Sequence, residues 1–510
     1  MESRWGPLAQ YDWSVMAPEF TILIVATLIS LIDLFAPKNT DRRFLAWFGI
    51  LGSLLAGWFV FQNVGIGVVE ILDGSYRIDA YGNIFKLIFI SGTILTLMMS
   101  VNYLDRKDEV QYHGEFYYLI LTGLLGAMIM SSSADFITLF VGLELLSISS
   151  YILVGARKKN LQTNESAFKY VVSGSIAAAT TLYGISFLYG LTGTTNIFLM
   201  GDYLAEAYAA GNQFIIYLAF FLLFVGLSFK ISTVPYHMWA PDVYQGAPTP
   251  ITAFLSVVSK AAGFALIIRV IITVFRNMVD VDNTLGPKSV LIDEITFIVG
   301  VLAAISMIVG NTLALRQTNI KRMMAYSSIA QAGYILVPFA TITSLVFEQT
   351  VFYLVAYLLM NMGAFAVIMI VTRDRGSEDL VSFAGLYHRA PWVAIAMTMF
   401  LLSLAGIPIS AGFFGKFYIF MSSLVVGNYW LAGIMVATSV VSYYYYFGII
   451  RQMYMRPGAT ESPLRVPASI AVIVLIALVG TVGVGLVPDT LMNFIHTNFP
   501  FIEMIQAAGQ

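Results

Sequence analysis

Four charged side chains stand in the middle of apolar runs: Glu144 in FITLFVGLELLSISSYILVG, Lys230 in FFLLFVGLSFKISTVPYHMW, Lys260 in ITAFLSVVSKAAGFALII and Lys416 in AGIPISAGFFGKFYIF. An ionisable group at the centre of a bilayer costs roughly 2.5–3.5 kcal/mol on insertion scales, so one acid and three lysines at that depth point to a charge or proton pathway. Desolvation favours the neutral form of a lysine, and a neighbouring carboxylate favours the ammonium form. A buried lysine whose carboxylate partner approaches and withdraws is therefore a switchable proton carrier. Glu144 is the only acid near the middle of any apolar run, which makes Lys230 its candidate partner. Lys260 could receive the proton through water, and Lys416 could deliver it outward. Tyr353, Tyr357 and Asn361 fall in one apolar run and could order water between the two ends of this path. The competing reading is that the four charges are static, paired groups, but their summed desolvation cost is hard to recover without function.

The remaining polar residues read less sharply. His237, in VPYHMW, is a loop-capping group or a further relay residue, with capping favoured. Lys86 and Lys169 lie near span ends and are expected to snorkel, and Asp33 to sit at a helix end. The run Tyr443 to Tyr446 reads as packing or lipid-facing surface. His113, His388 and His496 fall in or near loops without the spacing of a metal site. With no cysteine in the chain there is no disulfide frame, thiolate metal site or iron–sulfur cluster. No nucleophile triad, carboxylate pair or phosphate loop suggests hydrolysis, and no cofactor is expected on this chain.

These residues need elements to hold them. The 510 residues are 58% hydrophobic and 11% charged, and runs of about 20 apolar residues, each able to cross a bilayer, recur along the whole length. The fold class is all-α and polytopic, with about 14 transmembrane helices centred near Ile24, Leu54, Ile94, Gly123, Leu145, Ala178, Phe221, Val258, Ala303, Ala330, Leu359, Leu404, Ala437 and Ile476. The N-terminus lacks the basic region and cleavage site of a signal peptide, so the first run is expected to remain as a span. Loops after the odd-numbered spans 1, 3, 5, 9, 11 and 13 hold 17 Lys and Arg, against four (Arg4, Arg77, Arg276, Lys288) on the opposite side. The basic loops are expected in the cytoplasm and both termini on the outer face.

SISSYILV at the end of span 5 resembles IAQAGYILV in span 10, with Tyr151 and Tyr334 183 residues apart. An offset of five spans reverses direction through the bilayer, which predicts two inverted five-helix repeats, a transporter architecture. The predicted organisation is a three-helix segment (1–114), a first repeat (115–275), a second repeat (276–456) and a C-terminal helix (457–510). Pro235 in span 7 and Gly406, Pro408 and Gly412 in span 12 predict broken helices beside Lys230 and Lys416.

APDVYQGAPTPITAFLSVVSKAAGFA, QTNIKRMMAYSSIAQAGY, LLSLAGIPISAGFFGKFYIF and GLELLSISSYILVG resemble the antiporter-like membrane subunits of respiratory complex I, in detail the N-subunit family of bacterial NADH:quinone oxidoreductase. The likeness covers essentially the whole chain, including Pro18, Glu19 and Asp33 near its start. It implies that Glu144 and Lys230 form a functional pair, that Lys260 connects, and that Lys416 is terminal. It also implies proton pumping coupled to quinone reduction in partners, with NADH, FMN, iron–sulfur clusters and quinone handled by other membrane and hydrophilic subunits. The location implied is the bacterial cell membrane. The relay histidines that some paralogues place in later spans are missing, which leaves water and tyrosines between Lys260 and Lys416. A subunit of a multi-subunit sodium/proton antiporter is the alternative within the same architecture, and a structural membrane spacer is the alternative of a different class.

Overall fold

The computed structural model describes residues 11–37, 40–104, 110, 112–275, 290–343, 345–458 and 462–500. Arg4, Arg276 and Lys288, three of the four basic residues assigned to the outer side, lie outside the described residues, as do Lys38, Arg106 and Lys107 of the basic loops.

The apolar runs form helices, punctuated where polar residues can cap them. In chain order these are α1 (Ala17–Phe35), α2 (Arg43–Gln62), α3 (Ala80–Tyr103), α4 (His113–Ser132), α5 (Phe136–Val154), α6 (Leu161–Thr192), α7 (Ile197–Ala209) and α8 (Gln213–Ile231). There follow α9 (Trp239–Gly246), α10 (Thr249–Phe254), α11 (Lys260–Val274), α12 (Val290–Ala314), α13 (Ile320–Thr341) and α14 (Val346–Arg375). The last are α15 (Leu386–Arg389), α16 (Pro391–Ala405), α17 (Ala411–Val425), α18 (Tyr429–Met455), α19 (Ala468–Leu486) and α20 (Pro488–Asn498). The departure from an all-helical reading is a small antiparallel hairpin, β1 (Val69–Ile71) and β2 (Tyr76–Ile78), with Glu70 opposite Arg77. Asp135 starts α5 by accepting from the Ile137 and Thr138 N–H groups, and Asn319 starts α13 by accepting from Lys321 and Arg322. Both supply acceptors to helix N–H groups that have no intrahelical partner.

Among the described residues, twelve helices are long and apolar enough to cross a membrane. One of these, Thr249–Val274, joins α10 and α11 through a π-helical turn at Leu255–Ser259. The predicted span near Ala330 is α13, 22 residues long but carrying Lys321, Arg322, Ser327, Ser328 and Gln331, which lower its apolar content. The predicted span near Leu404 is two 15-residue helices, α16 and α17, with the break just beyond the expected centre.

Burial sorts the helices into centre and periphery. The Thr249–Val274 span is buried along its whole apolar window and α14 over 89% of it, whereas α6, α18 and α19 are each 33% buried. The central helices α10, α11 and α14 are thus shielded by protein on all sides, the condition under which polar and charged groups are tolerated at membrane depth.

Candidate functional site

Both breaks are satisfied by protein. α8 ends at Ile231 with Ser232 in the left-handed region, and Thr233 N–H returns to the Ser228 carbonyl at 3.0 Å. The Trp239 indole N–H donates to the Phe229 carbonyl at 3.0 Å. In the second break, Gly406 ends α16 with φ at 85°, and the Gly412 N–H donates to the Ser403 hydroxyl at 3.0 Å. Glycine is required at both positions. A Cβ on Gly406 would sit 3.0 Å from Cδ of Lys416, on top of the positive φ, and one on Gly412 would sit 2.1 Å from the Ser403 carbonyl oxygen.

Lys230 lies one residue before the end of α8 and is 5% exposed. Its ammonium donates to the Ser147 hydroxyl at 3.0 Å. Glu144 stands one turn before Ser147 on α5, and both line one small opening with Tyr151, Thr181 and Lys230. No direct ion pair joins Glu144 to Lys230, and Oε1 of Glu144 is buried with no hydrogen-bond partner. The two groups thus share a cavity, with a serine holding the lysine.

Lys260 follows the π-helical turn directly and is 1% exposed. It donates to the Ser328 carbonyl at 2.7 Å and to the Ser328 hydroxyl. That hydroxyl also meets the Tyr357 hydroxyl at 2.9 Å and the Tyr244 hydroxyl at 3.3 Å. One turn along α13, Gln331 accepts from the Tyr353 hydroxyl and donates to the Leu404 carbonyl at 3.0 Å. The Leu404 carbonyl, left free by the break, also accepts from Lys416 at 2.9 Å, and the Ala405 carbonyl accepts from it at 3.3 Å. The Lys416 ammonium lies 4.4 Å from the centre of the Tyr334 ring. Carbonyls at a helix C-terminus carry partial negative charge, and an aromatic face attracts a cation, so Lys416 is held without a carboxylate.

Lys260 and Lys416 thus meet two polar groups one turn apart on α13, Ser328 and Gln331, with Tyr357 bonded to the first and Tyr353 to the second from α14. Asn361 is buried on α14 with its Nδ2 unpartnered. His237 is half-buried beyond the α8 break, its Nδ1 without a hydrogen-bond partner and its carbonyl accepting from Ala240 at 3.0 Å. The sequence reading missed Ser147, Ser328, Gln331 and Tyr334. Only Ser147 had a local signal, since Glu144, Ser147 and Tyr151 recur at helical spacing on α5.

Other expectations need correction. Lys86 does not snorkel: it is fully buried, paired with Glu19 at 2.7 Å and donating to Tyr76 at 3.0 Å, because α1 and β2 close over it. Lys169 does reach outward, pairing with Glu165 and with Asp242 at 2.8 Å. Asp33 pairs with Arg42 at 3.0 Å rather than merely ending a helix. In the tyrosine run, Tyr444 is exposed, but Tyr445 donates to Asn311 and Tyr446 bonds Ser327 in the interior, as helical geometry turns successive residues to different faces. His496, on α20, meets Glu348 at 3.2 Å. Arg269 is also buried, forked onto Asp79 at 2.5 and 3.0 Å beside the Ser131 carbonyl.

Outside the spans, Asp242 on α9 joins Lys169 of α6 to Arg322 of α13 at 2.5 Å. Burial pushes its carboxyl up, but the two cations outweigh burial and hold it below the usual range.

The family described as NADH:quinone oxidoreductase/Mrp antiporter, TM matches residues 133–442, which include all four intramembrane charges. The chain is 59% identical over 506 residues, 98% of both chains, to a Brevibacillus brevis protein named NADH-quinone oxidoreductase subunit N. A chain of respiratory complex I from Thermus thermophilus superposes with a TM-score of 0.77 at 31% identity, covering 93% of this chain and 98% of that one. A chain of the Mrp complex from Dietzia has a TM-score of 0.81 over 98% and 99% of the two chains at 18% identity, a likeness of fold alone.

Proposed function

The chain belongs to the family of NADH-quinone oxidoreductase N subunits, proton-translocating membrane subunits of respiratory complex I, and from that premise we propose that Glu144, Lys230, Lys260 and Lys416 carry the proton. The observation that supports this most is that Lys260 on Ser328, and Lys416 sharing the Leu404 carbonyl with Gln331, rest on polar groups one turn apart on α13. A static spacer has no use for two buried ammonium groups, Lys260 and Lys416, held against one polar helix without a carboxylate.

Each group has a distinct task. Glu144 attracts positive charge to Lys230 when it is ionised, and the Ser147 hydroxyl holds the ammonium within the shared cavity. A proton leaving Lys230 leaves a neutral amine that no longer repels charge on Lys260. From Lys260 the hydroxyls of Ser328 and Tyr357 can pass a proton by exchanging donors, because each hydroxyl both donates and accepts. The Gln331 amide and the Leu404 carbonyl cannot do this, and instead fix the line along which water carries the proton to Lys416. No redox step falls to these residues. Electrons, flavin, clusters and quinone belong, in this reading, to the partner membrane and hydrophilic subunits. His237 serves the α8 break rather than the relay.

The same reading places the basic loops in the cytoplasm and both termini outside, supported by the 17-to-four division of basic residues. It also takes residues 115–275 and 276–456 as inverted repeats, supported by the likeness of SISSYILV to IAQAGYILV with Tyr151 and Tyr334 183 residues apart. The test is Lys260→Met in the intact complex. Proton pumping should fall at least tenfold while electron transfer from NADH to a hydrophilic artificial acceptor persists. Parental pumping would return the chain to the spacer reading, and pumping that requires sodium would favour the antiporter reading.

A further inference from the structure

Resting on the relay reading, we propose that protons leave Lys416 by an outlet along α14 that ends at the buried carboxylate of Glu348 and is opened to bulk water by His496. Tyr353, bonded to Gln331 beside Lys416, lies one turn from Gln349 on the same face of α14. The Gln349 side chain accepts from the Ser422 hydroxyl of α17 at 2.5 Å, six residues beyond Lys416 on that helix. The next residue of α14 toward its N-terminus is Glu348, whose side chain is 4% exposed. Its Oε1 lies 3.2 Å from Nδ1 of His496 on α20, and that imidazole is 70% exposed. Its Oε2 is buried and has no hydrogen-bond partner. From Tyr353 to Glu348 is five residues, about 7.5 Å of helix rise, a span that two or three waters cover.

A buried carboxylate with one oxygen free of partners and the other on a solvent-exposed imidazole suits proton transfer. The proton leaves the Lys416 ammonium, giving the neutral amine, and travels through water ordered by Tyr353, Gln349 and Ser422 to the Glu348 carboxylate. The carboxylic acid passes it to the His496 imidazole, which releases it to bulk, and carboxylate and neutral imidazole are restored. Other titratable or charged groups on elements packed here include Asp489 of α20, beside Tyr418 of α17, Tyr81 of α3, tilted against Phe347 and under Arg269, and Lys86 of α3, paired with Glu19. None of these is placed on the α14 face that leads from Tyr353.

The test uses inverted membrane vesicles containing the whole complex, where the outer face is the lumen. Glu348→Gln, which neutralises an acid without stranding a buried cation, should leave assembly and NADH oxidation by a hydrophilic acceptor intact and lower proton pumping at least fivefold. His496→Gln should lower pumping about two- to threefold in a weakly buffered lumen and recover when a mobile buffer is raised in that compartment. A purely packing role would not respond to buffer. Lys416→Ala is run in parallel. If it pumps normally the relay reading itself falls, whereas dead Lys416→Ala beside parental Glu348→Gln overturns the outlet alone. Should Glu348→Gln fail to assemble, parental pumping by His496→Gln at every buffer strength overturns it.

Discussion

The two lysines beside broken helices are held by opposite means. Lys230, at the end of α8, shares a cavity with the carboxylate of Glu144 and rests on a serine hydroxyl. Lys416, on α17, has no carboxylate nearby among the described residues and rests on two carbonyls at the C-terminus of α16 and on the Tyr334 ring. The position 183 residues beyond Glu144 is Ser327, which bonds Tyr446 rather than a lysine. A carboxylate can change its charge and its distance; a helix terminus can change neither. In the proposed relay, Lys230 is therefore the lysine that is switched, and Lys416 the one that holds a proton in a fixed, moderate field until charge arrives from Lys260.

The largest effect expected from that difference follows Glu144→Gln. Removing the switchable charge should lower pumping tenfold or more with near-normal assembly, since it relieves a burial cost and leaves Lys230 its Ser147 contact. A complex that fails to assemble, scored by native gel of solubilised membranes, would instead make the acid structural. Ser328→Ala should come next. It takes the hydroxyl shared by Lys260, Tyr357 and Tyr244, and a hydrogen bond to a charged group is worth about 1.5–3 kcal/mol, so pumping should fall by about an order of magnitude. Parental proton flux in that variant would mean the halves communicate by another route.

Gly406→Ala probes the fixed field of the second half through its backbone. The positive φ and the approach of Lys416 predict a loss of about 1–3 kcal/mol, seen as lower complex yield and a lower melting temperature. An unchanged melting temperature would show that the break tolerates a side chain. The smallest effect is expected at Asp242, which clamps α6 and α9 of the first half to α13 of the second through partly exposed pairs worth up to about 1 kcal/mol each. Because the folded carboxyl sits below its usual value, this clamp is present above about pH 4 and lost as pH falls through the carboxyl's lowered folded value. Asp242→Asn should remove that acid-sensitive component from a thermal melt and leave pumping unchanged near neutral pH.

Much of this comparison was legible in the sequence. Lone charges in apolar runs identified Glu144 and the three lysines, and Pro235 and Gly406 marked both breaks, because hydropathy and backbone chemistry are local properties. What escaped was set by which helices touch. The π-helical turn before Lys260 lies in LSVVS, which carries no local signal. Whether Lys86 reaches solvent or Glu19 depends on α1 and β2 closing over it. The run Tyr443 to Tyr446 reads as one surface in sequence, yet a 100° turn per residue divides it between lipid and interior. Ser328 and Gln331 are unremarkable polar residues until α14 and the end of α16 are seen to bond them.

The central claim is that Lys416 must give up its proton at each turnover, and Lys416→Arg compared with Lys416→Ala in reconstituted proteoliposomes tests it most directly. A guanidinium keeps the positive charge and the carbonyl contacts but does not deprotonate in this range. Proton pumping should fail in both variants while electron entry from NADH persists in both. Parental pumping by Lys416→Arg would show that this position supplies only a fixed charge, and the account of the second half would be wrong.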